Sequence, residues 1–132
     1  MGALLVLLER RGSELKVASL QALSTARRLS AATGDSVVAL AFGSGAASAA
    51  ALAGAHGADR LFAVEDAALD LYVPEVYAAT LADVATQCAA DTILAAGTSL
   101  GRDVAARTCA ERRKASLCPA ATATGAELFG GN

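Results

Sequence analysis

A run of residues near position 100 combines the side chains that bind anions. The run, 97–103, holds two glycines, two hydroxyl side chains, an arginine and an aspartate directly after a short apolar stretch. Exposed backbone amides at a helix N-terminus, together with an arginine, can hold a phosphate or the carboxylate of a partner. The residues predicted to form this cofactor-binding or interface loop are Gly97, Thr98, Ser99, Gly101, Arg102 and Asp103.

The same run is also typical of an ordinary capped helix. Thr98 or Ser99 would accept amide hydrogen bonds in the first turn, and Asp103 would offset the helix dipole. The residue types alone leave these two interpretations open. A second glycine-rich segment, 43–45 with Ser48, resembles the start of a dinucleotide fingerprint. It follows the second apolar run instead of the first, however, and we interpret it as a tight turn into a helix.

Composition excludes several classes of function. A formal charge of -2 removes the basic surface that binding to a nucleic acid backbone requires. No stretch of about 20 apolar residues lacks charges, so no transmembrane segment is predicted. His56 is the single histidine of the sequence, and no nucleophile is spaced to use it, so we predict no catalytic site. Glu65, Asp66 and Asp70 form an acidic stretch that we interpret as solvated, and no metal site is predicted.

The cysteines indicate a reducing environment. Cys88, Cys109 and Cys118 are odd in number and form no CxxC pair, which argues against a disulfide framework or a zinc site. Each is interpreted as a small buried hydrophobe. No targeting segment is recognised, because no basic region precedes the short apolar run that ends at Glu9.

Strands and helices alternate along the chain. Short continuous apolar runs predict strands at 3–8, 36–42, 60–64 and 92–96, with a fifth at 117–122. Between them, apolar residues recur three or four apart, as on one face of a helix. The residues expected at the helix ends are Ser19 and Pro74 at starts, and Gly34 and Gly57 after ends. The alternation predicts an α/β fold, with a doubly wound, mostly parallel five-stranded sheet and helices on both faces.

The pattern fits one domain followed by a tail. Residues 1–122 are predicted to form the α/β domain, since 132 residues suit a single core. The segment 123–132 loses the alternation and ends in two glycines and an asparagine, so it is predicted to be linker-like. A last strand without a covering helix is more typical of a part of a larger protein or complex than of a separate module.

Several of these features together resemble a known family. They are residues 3–9, followed by Gly12 and residues 14–16; the turn at residues 43–45; residues 57–60, which lead into the third strand; and residues 97–103 with Arg107. In order and spacing they resemble the N-terminal domain of the electron transfer flavoprotein alpha subunit, over about residues 3 to 122. The chain departs from the family near the fifth strand. There, residues 112–115 and Pro119 stand where the family is expected to have an acidic segment without proline. A proline there suits an edge strand. In the family further strands follow, of which 127–129 would be the beginning.

The resemblance implies a component of an electron carrier, not an enzyme. In the family, an alpha and a beta subunit form a heterodimer. It carries electrons from flavin dehydrogenases, such as the acyl-CoA dehydrogenases of fatty acid oxidation, to a quinone reductase of the membrane. FAD lies mainly on a C-terminal alpha domain and AMP lies in the beta subunit. We therefore expect the full heterodimer to hold FAD, and this chain alone to bind neither group and to pack against the beta subunit. The implied location is the bacterial cytoplasm or, in a eukaryote, the mitochondrial matrix.

A different class of function also fits the pattern. The sequence resembles universal-stress proteins in its alternating sheet, and members of that group bind an adenine nucleotide at the loop after the fourth strand. This alternative is a separate nucleotide-binding protein with ATP or AMP at 97–103. Its affinity would depend on Arg102 and on the small size of Gly97.

Overall fold

A central sheet covered by helices on both faces forms the protein. The computed structural model describes residues 2–12, 14–112, 120–123 and 126–130. The strands are β1 Ala3–Leu7, β2 Arg10–Arg11, β3 Glu14–Leu15, β4 Ser36–Phe42, β5 Arg60–Val64, β6 Ala90–Ala96, β7 Ala120–Ala123 and β8 Ala126–Gly130. The helices are α1 Val17–Thr33, α2 Ala50–Ala55, α3 Pro74–Gln87 and α4 Ser99–Arg112, with 3-10 turns at Ala46–Ala49 and Ala67–Leu69.

The four apolar runs form the parallel part of the sheet. Strand β1 pairs in parallel with β4 on one side and with β6 on the other, and β4 pairs in parallel with β5. Parallel neighbours need helical crossovers that cover both faces of the sheet, which is why these strands carry almost no polar residues. The predicted doubly wound α/β architecture is confirmed.

The two faces of the sheet bury separate cores. Alternate residues of β1 point to opposite sides, so Leu5 and Leu7 lie in one core while Leu4 and Val6 lie in the other. The first core packs against α3 and α4, and the second packs against α1 and α2. This arrangement leaves the carboxyl ends of β1, β4 and β6 side by side at one edge of the sheet.

The last two strands correct the predicted sheet and tail. The sheet has six strands in the order β5-β4-β1-β6-β8-β7, and β8 is antiparallel to both β6 and β7. A short connection between β7 and β8 can only reverse the chain direction, so it produces a hairpin. The segment predicted to be linker-like therefore contains a strand, as the family resemblance expected at 127–129. Strand β7 overlaps the predicted fifth strand and lies at the sheet edge, and residues 117–119 lie outside the described residues.

The helix ends follow the predicted signals with one exception. Gly34 ends α1 in the left-handed conformation with φ 80°, and Pro74 occupies the first turn of α3. Ser19 was expected to cap α1, but Lys16 holds the cap position and Ser19 lies inside the helix, buried. The Ser19 hydroxyl instead accepts a hydrogen bond from the Glu9 amide at 2.7 Å. The prediction was wrong because a β2–β3 hairpin, which the sequence pattern did not indicate, returns the chain to Glu9, so that the start of α1 lies against the end of β1.

Two cysteines depart from their predicted environment. Cys109 is disulfide-bonded and only partly buried, where a reduced and buried side chain was expected. Cys88 is also partly buried, and its thiol contacts the Ala85 carbonyl at 3.9 Å. An odd number of cysteines rules out complete pairing but does not rule out one bridge. Cys118 lies outside the described residues.

Candidate functional site

A cavity of about 460 Å³ opens at the carboxyl edge of the sheet. Its walls come from the end of β1 and the hairpin behind it, the loop after β4, and the segment before α3. The side chains that matter for its chemistry are Glu9, Arg10, Lys16, Ser44, Asp70 and Tyr72. In open α/β sheets, ligands bind at this edge. The cavity is therefore the place where a ligand of this fold would be expected.

Glu9 places a buried carboxylate at the centre of this edge. The residue is 6% exposed, and its Oε2 accepts a hydrogen bond from the Thr98 hydroxyl at 2.6 Å. Its Oε1 lies 3.5 Å from the Lys16 Nζ and accepts no hydrogen bond from the described residues. A buried carboxylate requires such partners because loss of hydration is costly. Glu9 thus joins the end of β1 to the loop after β6.

Arg10 fastens the hairpin to the loop after β4. Its Nη1 donates to the Gly12 carbonyl at 2.7 Å, and its Nη2 donates to the carbonyls of Phe42 and Ser44 at 3.0 and 2.8 Å. Each bond joins a charged donor to a carbonyl, which makes it stronger than a neutral hydrogen bond. The Arg10 guanidinium therefore joins the backbone of the hairpin to the backbone of the loop after β4 at the cavity wall.

Carboxylates occupy the amides of the glycine-rich turn. The Ser44 amide donates to Asp70 Oδ1 at 2.6 Å, and the Ser44 hydroxyl donates to Asp70 Oδ2 at 3.1 Å. The Ala47 amide donates to Glu65 Oε2 at 2.9 Å. Gly43 has φ 103°, and a Cβ added there would lie 2.8 Å from Asp70 Oδ1. This geometry fits the interpretation of residues 43–45 as a turn. The carboxylates of the acidic stretch accept hydrogen bonds from backbone amides, whereas the sequence analysis expected them to be solvated.

The predicted 97–103 loop is held mainly by contacts within the chain. The Thr98 hydroxyl accepts the Gly101 amide at 3.0 Å while it donates to Glu9, so it caps α4. The Arg102 Nε donates to the Gly97 carbonyl at 3.3 Å. A Cβ at Gly101 would overlap the Ala96 carbonyl oxygen, so the glycine allows close packing of helix and strand. Ser99 is exposed.

Asp103 joins α4 to the segment before α3. Its Oδ2 accepts from the Tyr72 hydroxyl at 2.5 Å and from the Arg107 Nε at 2.9 Å. The Tyr72 hydrogen bond, followed by that of Arg107, lowers the pKa of the Asp103 carboxyl. Burial, followed by the hydrogen bond to Asp103, raises the pKa of the Tyr72 hydroxyl. The side-chain partners of Asp103 therefore lie outside the predicted 97–103 loop.

Aromatic side chains form the floor below the cavity. The rings of Phe42 and Tyr77 stack with centroids 4.0 Å apart, and Tyr72 meets Tyr77 edge to face at 5.0 Å. The Tyr77 hydroxyl donates to the Leu69 carbonyl at 2.6 Å, and burial raises its pKa. Aromatic pairs in such orientations contribute about 0.5–1.5 kcal/mol beyond the area they bury. This cluster fixes the segment between β5 and α3.

Within the part of the chain that the structure describes, no group of three or more potential metal ligands lies together. His56 is the C-cap of α2, on the opposite side of the fold from Tyr77. Among the described residues, no helix is long and apolar enough to cross a membrane.

Comparison with known families identifies the domain. The family model described as "Electron transfer flavoprotein domain" matches residues 4–127. The chain belongs to the electron transfer flavoprotein domain family. The match includes the β7–β8 hairpin up to Glu127, so it extends beyond position 122, where the resemblance seen in the sequence ended. No curated protein matches the chain.

Membership in the electron transfer flavoprotein family gives the chain a role in electron transfer, as a component of a carrier complex. Within that family fold, the described cavity depends on residues that the sequence analysis did not select. They are Glu9, Arg10, Lys16 and Tyr72. Charged residues placed directly after an apolar strand, as Glu9 and Arg10 are after β1, are the signal that could have located them, because strand ends define the binding edge.

Proposed function

We propose that this chain is the N-terminal domain of an electron transfer flavoprotein alpha subunit and that it packs against the beta subunit. In this proposal the complete heterodimer holds FAD and carries electrons between flavin dehydrogenases and the respiratory quinone pool. AMP, where present, lies elsewhere in the complex. The chain itself serves as a supporting and docking domain.

The arrangement of carboxylates at the sheet edge carries this proposal. A domain that binds a nucleotide there would offer free amides to the phosphate at a turn or helix N-terminus. Here Asp70 and Glu65 already accept the amides of Ser44 and Ala47. The Thr98 hydroxyl donates to the Glu9 carboxylate. The donors that would meet a phosphate are thus engaged by the chain's own anions.

A flavin does not fit the described cavity for the same reason. In the cavity wall, the pyrophosphate of FAD would meet the carboxylates of Glu9 and Asp70, while the cations there are already engaged, Arg10 by backbone carbonyls and Lys16 by Glu9. Like charges at short range are repulsive, and more strongly so where water is excluded. This mismatch supports a role in assembly, without a flavin on this domain.

The separate nucleotide-binding protein remains the alternative to be tested. It would require Arg102 and the 97–103 amides to turn toward a phosphate. The Arg102 Nε donates to the Gly97 carbonyl, and the Gly101 amide is capped by Thr98. A nucleotide would therefore have to displace contacts that stabilise α4.

Thermal unfolding with candidate ligands tests the proposal directly. A ligand that binds only the folded chain raises the unfolding midpoint as its concentration passes its Kd. We expect FAD, AMP and ATP to leave the midpoint unchanged, and a cognate beta subunit co-expressed with the chain to co-purify and raise it. A shift with ATP or AMP alone that Arg102→Ala removes would overturn the proposal and support the alternative.

A further inference from the structure

We infer that residues 65–76, the acidic segment, form a docking knob that inserts Leu71 into an apolar pocket framed by Lys and Arg on the partner subunit. This inference rests on the proposed function, because it names the part of the chain that the beta subunit contacts. It adds the location of the contact, its anchor residue and the chemistry of the surface that receives it.

Leu71 is an exposed apolar residue that lies between two anchored residues. Its exposure is 79%, the highest among the large apolar side chains identified as exposed, and Val76 five residues later is 42% exposed. On either side of Leu71, the chain is fixed. Leu69 is buried and its carbonyl accepts the Tyr77 hydroxyl, while Tyr72 packs on Tyr77 and donates to Asp103. A backbone that is already held in place loses little conformational freedom when the side chain it carries binds.

Hydrogen bonds to backbone also hold the acidic side chains around Leu71. Asp66 accepts the Ala68 amide at 2.9 Å, and Asp70 accepts both the amide and the hydroxyl of Ser44. The segment is therefore a preformed shape and not a loose loop. Preformed surfaces pay a smaller entropic cost on association, so a contact of moderate area can be stable.

The charge of the segment specifies the surface that would receive it. Residues 65–76 contain four carboxylates, Glu65, Asp66, Asp70 and Glu75, and no Lys or Arg. All four are exposed. An apolar anchor inside an acidic rim is complementary to an apolar pocket inside a basic rim, and opposite charges at a rim mainly accelerate association. A second acidic segment, as in another copy of this chain, would be repelled.

A matched pair of substitutions tests the anchor. Leu71→Ser and Val17→Ser each remove an exposed aliphatic side chain, since Val17 is 69% exposed at the start of α1, outside the acidic segment. Both variants should keep the wild-type unfolding midpoint because neither residue is buried. In titrations with the purified cognate beta subunit, we expect Leu71→Ser to raise the Kd by about tenfold or more. Val17→Ser should leave the Kd within about twofold of the wild-type value.

Two further variants keep the test independent of a single position. Val76→Ala shortens the second exposed side chain with a residue that favours helix, so it should raise the Kd without loss of stability. Glu75→Gln should lower the association rate and weaken its dependence on salt, whereas Glu14→Gln on the β2–β3 hairpin should not.

The outcomes separate this inference from the function on which it rests. Absence of binding by the wild-type chain would overturn both. Binding that Leu71→Ser and Val76→Ala leave unchanged would overturn the docking knob and leave the subunit assignment standing. Concentration-dependent self-association that Leu71→Ser abolishes would also overturn it, because the segment would then contact a second copy.

Discussion

Replacement of Thr98 by valine tests whether the 97–103 loop serves the fold. Valine has the shape of threonine but no hydroxyl, so it removes two hydrogen bonds at once: the cap on the Gly101 amide and the donor to Glu9 Oε2. Loss of an N-cap costs about 1 kcal/mol. Loss of a donor to a buried charged group costs about 1.5–3 kcal/mol, because the carboxylate stays buried without it.

We therefore expect Thr98→Val to lower the free energy of unfolding by about 2.5–4 kcal/mol, a large part of the roughly 5–15 kcal/mol typical of a domain. Urea denaturation followed by circular dichroism measures this difference. Thr98→Ser keeps the hydroxyl and should recover most of the stability. In a double-mutant cycle, Glu9→Gln should make the valine less costly, because a neutral side chain is less expensive to leave unpaired.

A loss below about 1 kcal/mol for Thr98→Val, or a Thr98→Ser variant no more stable than the valine variant, would refute this reasoning. Additivity of Thr98→Val and Glu9→Gln would refute the contact itself, since residues in direct contact should couple. The loop would then be available for a ligand, as the nucleotide-binding alternative requires.

Three further results are expected. Gly101→Ala should destabilise the chain strongly in urea denaturation, because its Cβ would overlap the Ala96 carbonyl, whereas Gly54→Ala, with open space around the added Cβ, should not. Tyr72 and Tyr77 are the two tyrosines of the chain and both have raised pKa values, so the native protein should gain tyrosinate absorbance only above pH about 10, where the unfolded chain titrates. Their neutral forms are favoured by folding, so the stabilisation is complete below pH about 10 and is lost as the pH rises further; Tyr72→Phe should flatten this decline. Asp70→Asn should weaken binding of the partner subunit without removal of any exposed apolar side chain, because it loosens the Ser44 contacts that hold the acidic segment; unchanged affinity would contradict this.

The central sheet could be predicted from the sequence because buried parallel strands leave an unambiguous pattern. The run 36–42 is nearly all apolar, and its predicted limits agree with those of β4. The last strands could not be placed in the same way. Strand pairing between β6 and β8 joins residues thirty or more positions apart in sequence. The local pattern of 126–130 does not indicate which strand it pairs with or in which direction.

The site was predictable in position but not in composition. Because ligands of such sheets bind at the carboxyl ends of the strands, the loops after the strands were predicted to form the site, and Thr98 lies beside Glu9 at this edge. The hairpin that begins at Arg10, directly after Glu9, consists of two-residue strands, which are too short for any periodicity. Asp70 could not be assigned to Ser44 from sequence, because that contact spans 26 positions and depends on how the segment before α3 folds back.

The acidic segment connects the interior and the surface of this edge. Asp70 in the cavity wall and Glu65 nearby in sequence accept the amides of Ser44 and Ala47, which a nucleotide-binding domain of this fold would leave for phosphate. In the same segment, Leu71 is exposed among four carboxylates of the sequence. One set of carboxylates thus disfavours an anionic ligand and prepares a protein contact. The same carboxylates would therefore account both for weak binding of anionic ligands and for contact with a partner at this edge, which is consistent with a role in assembly.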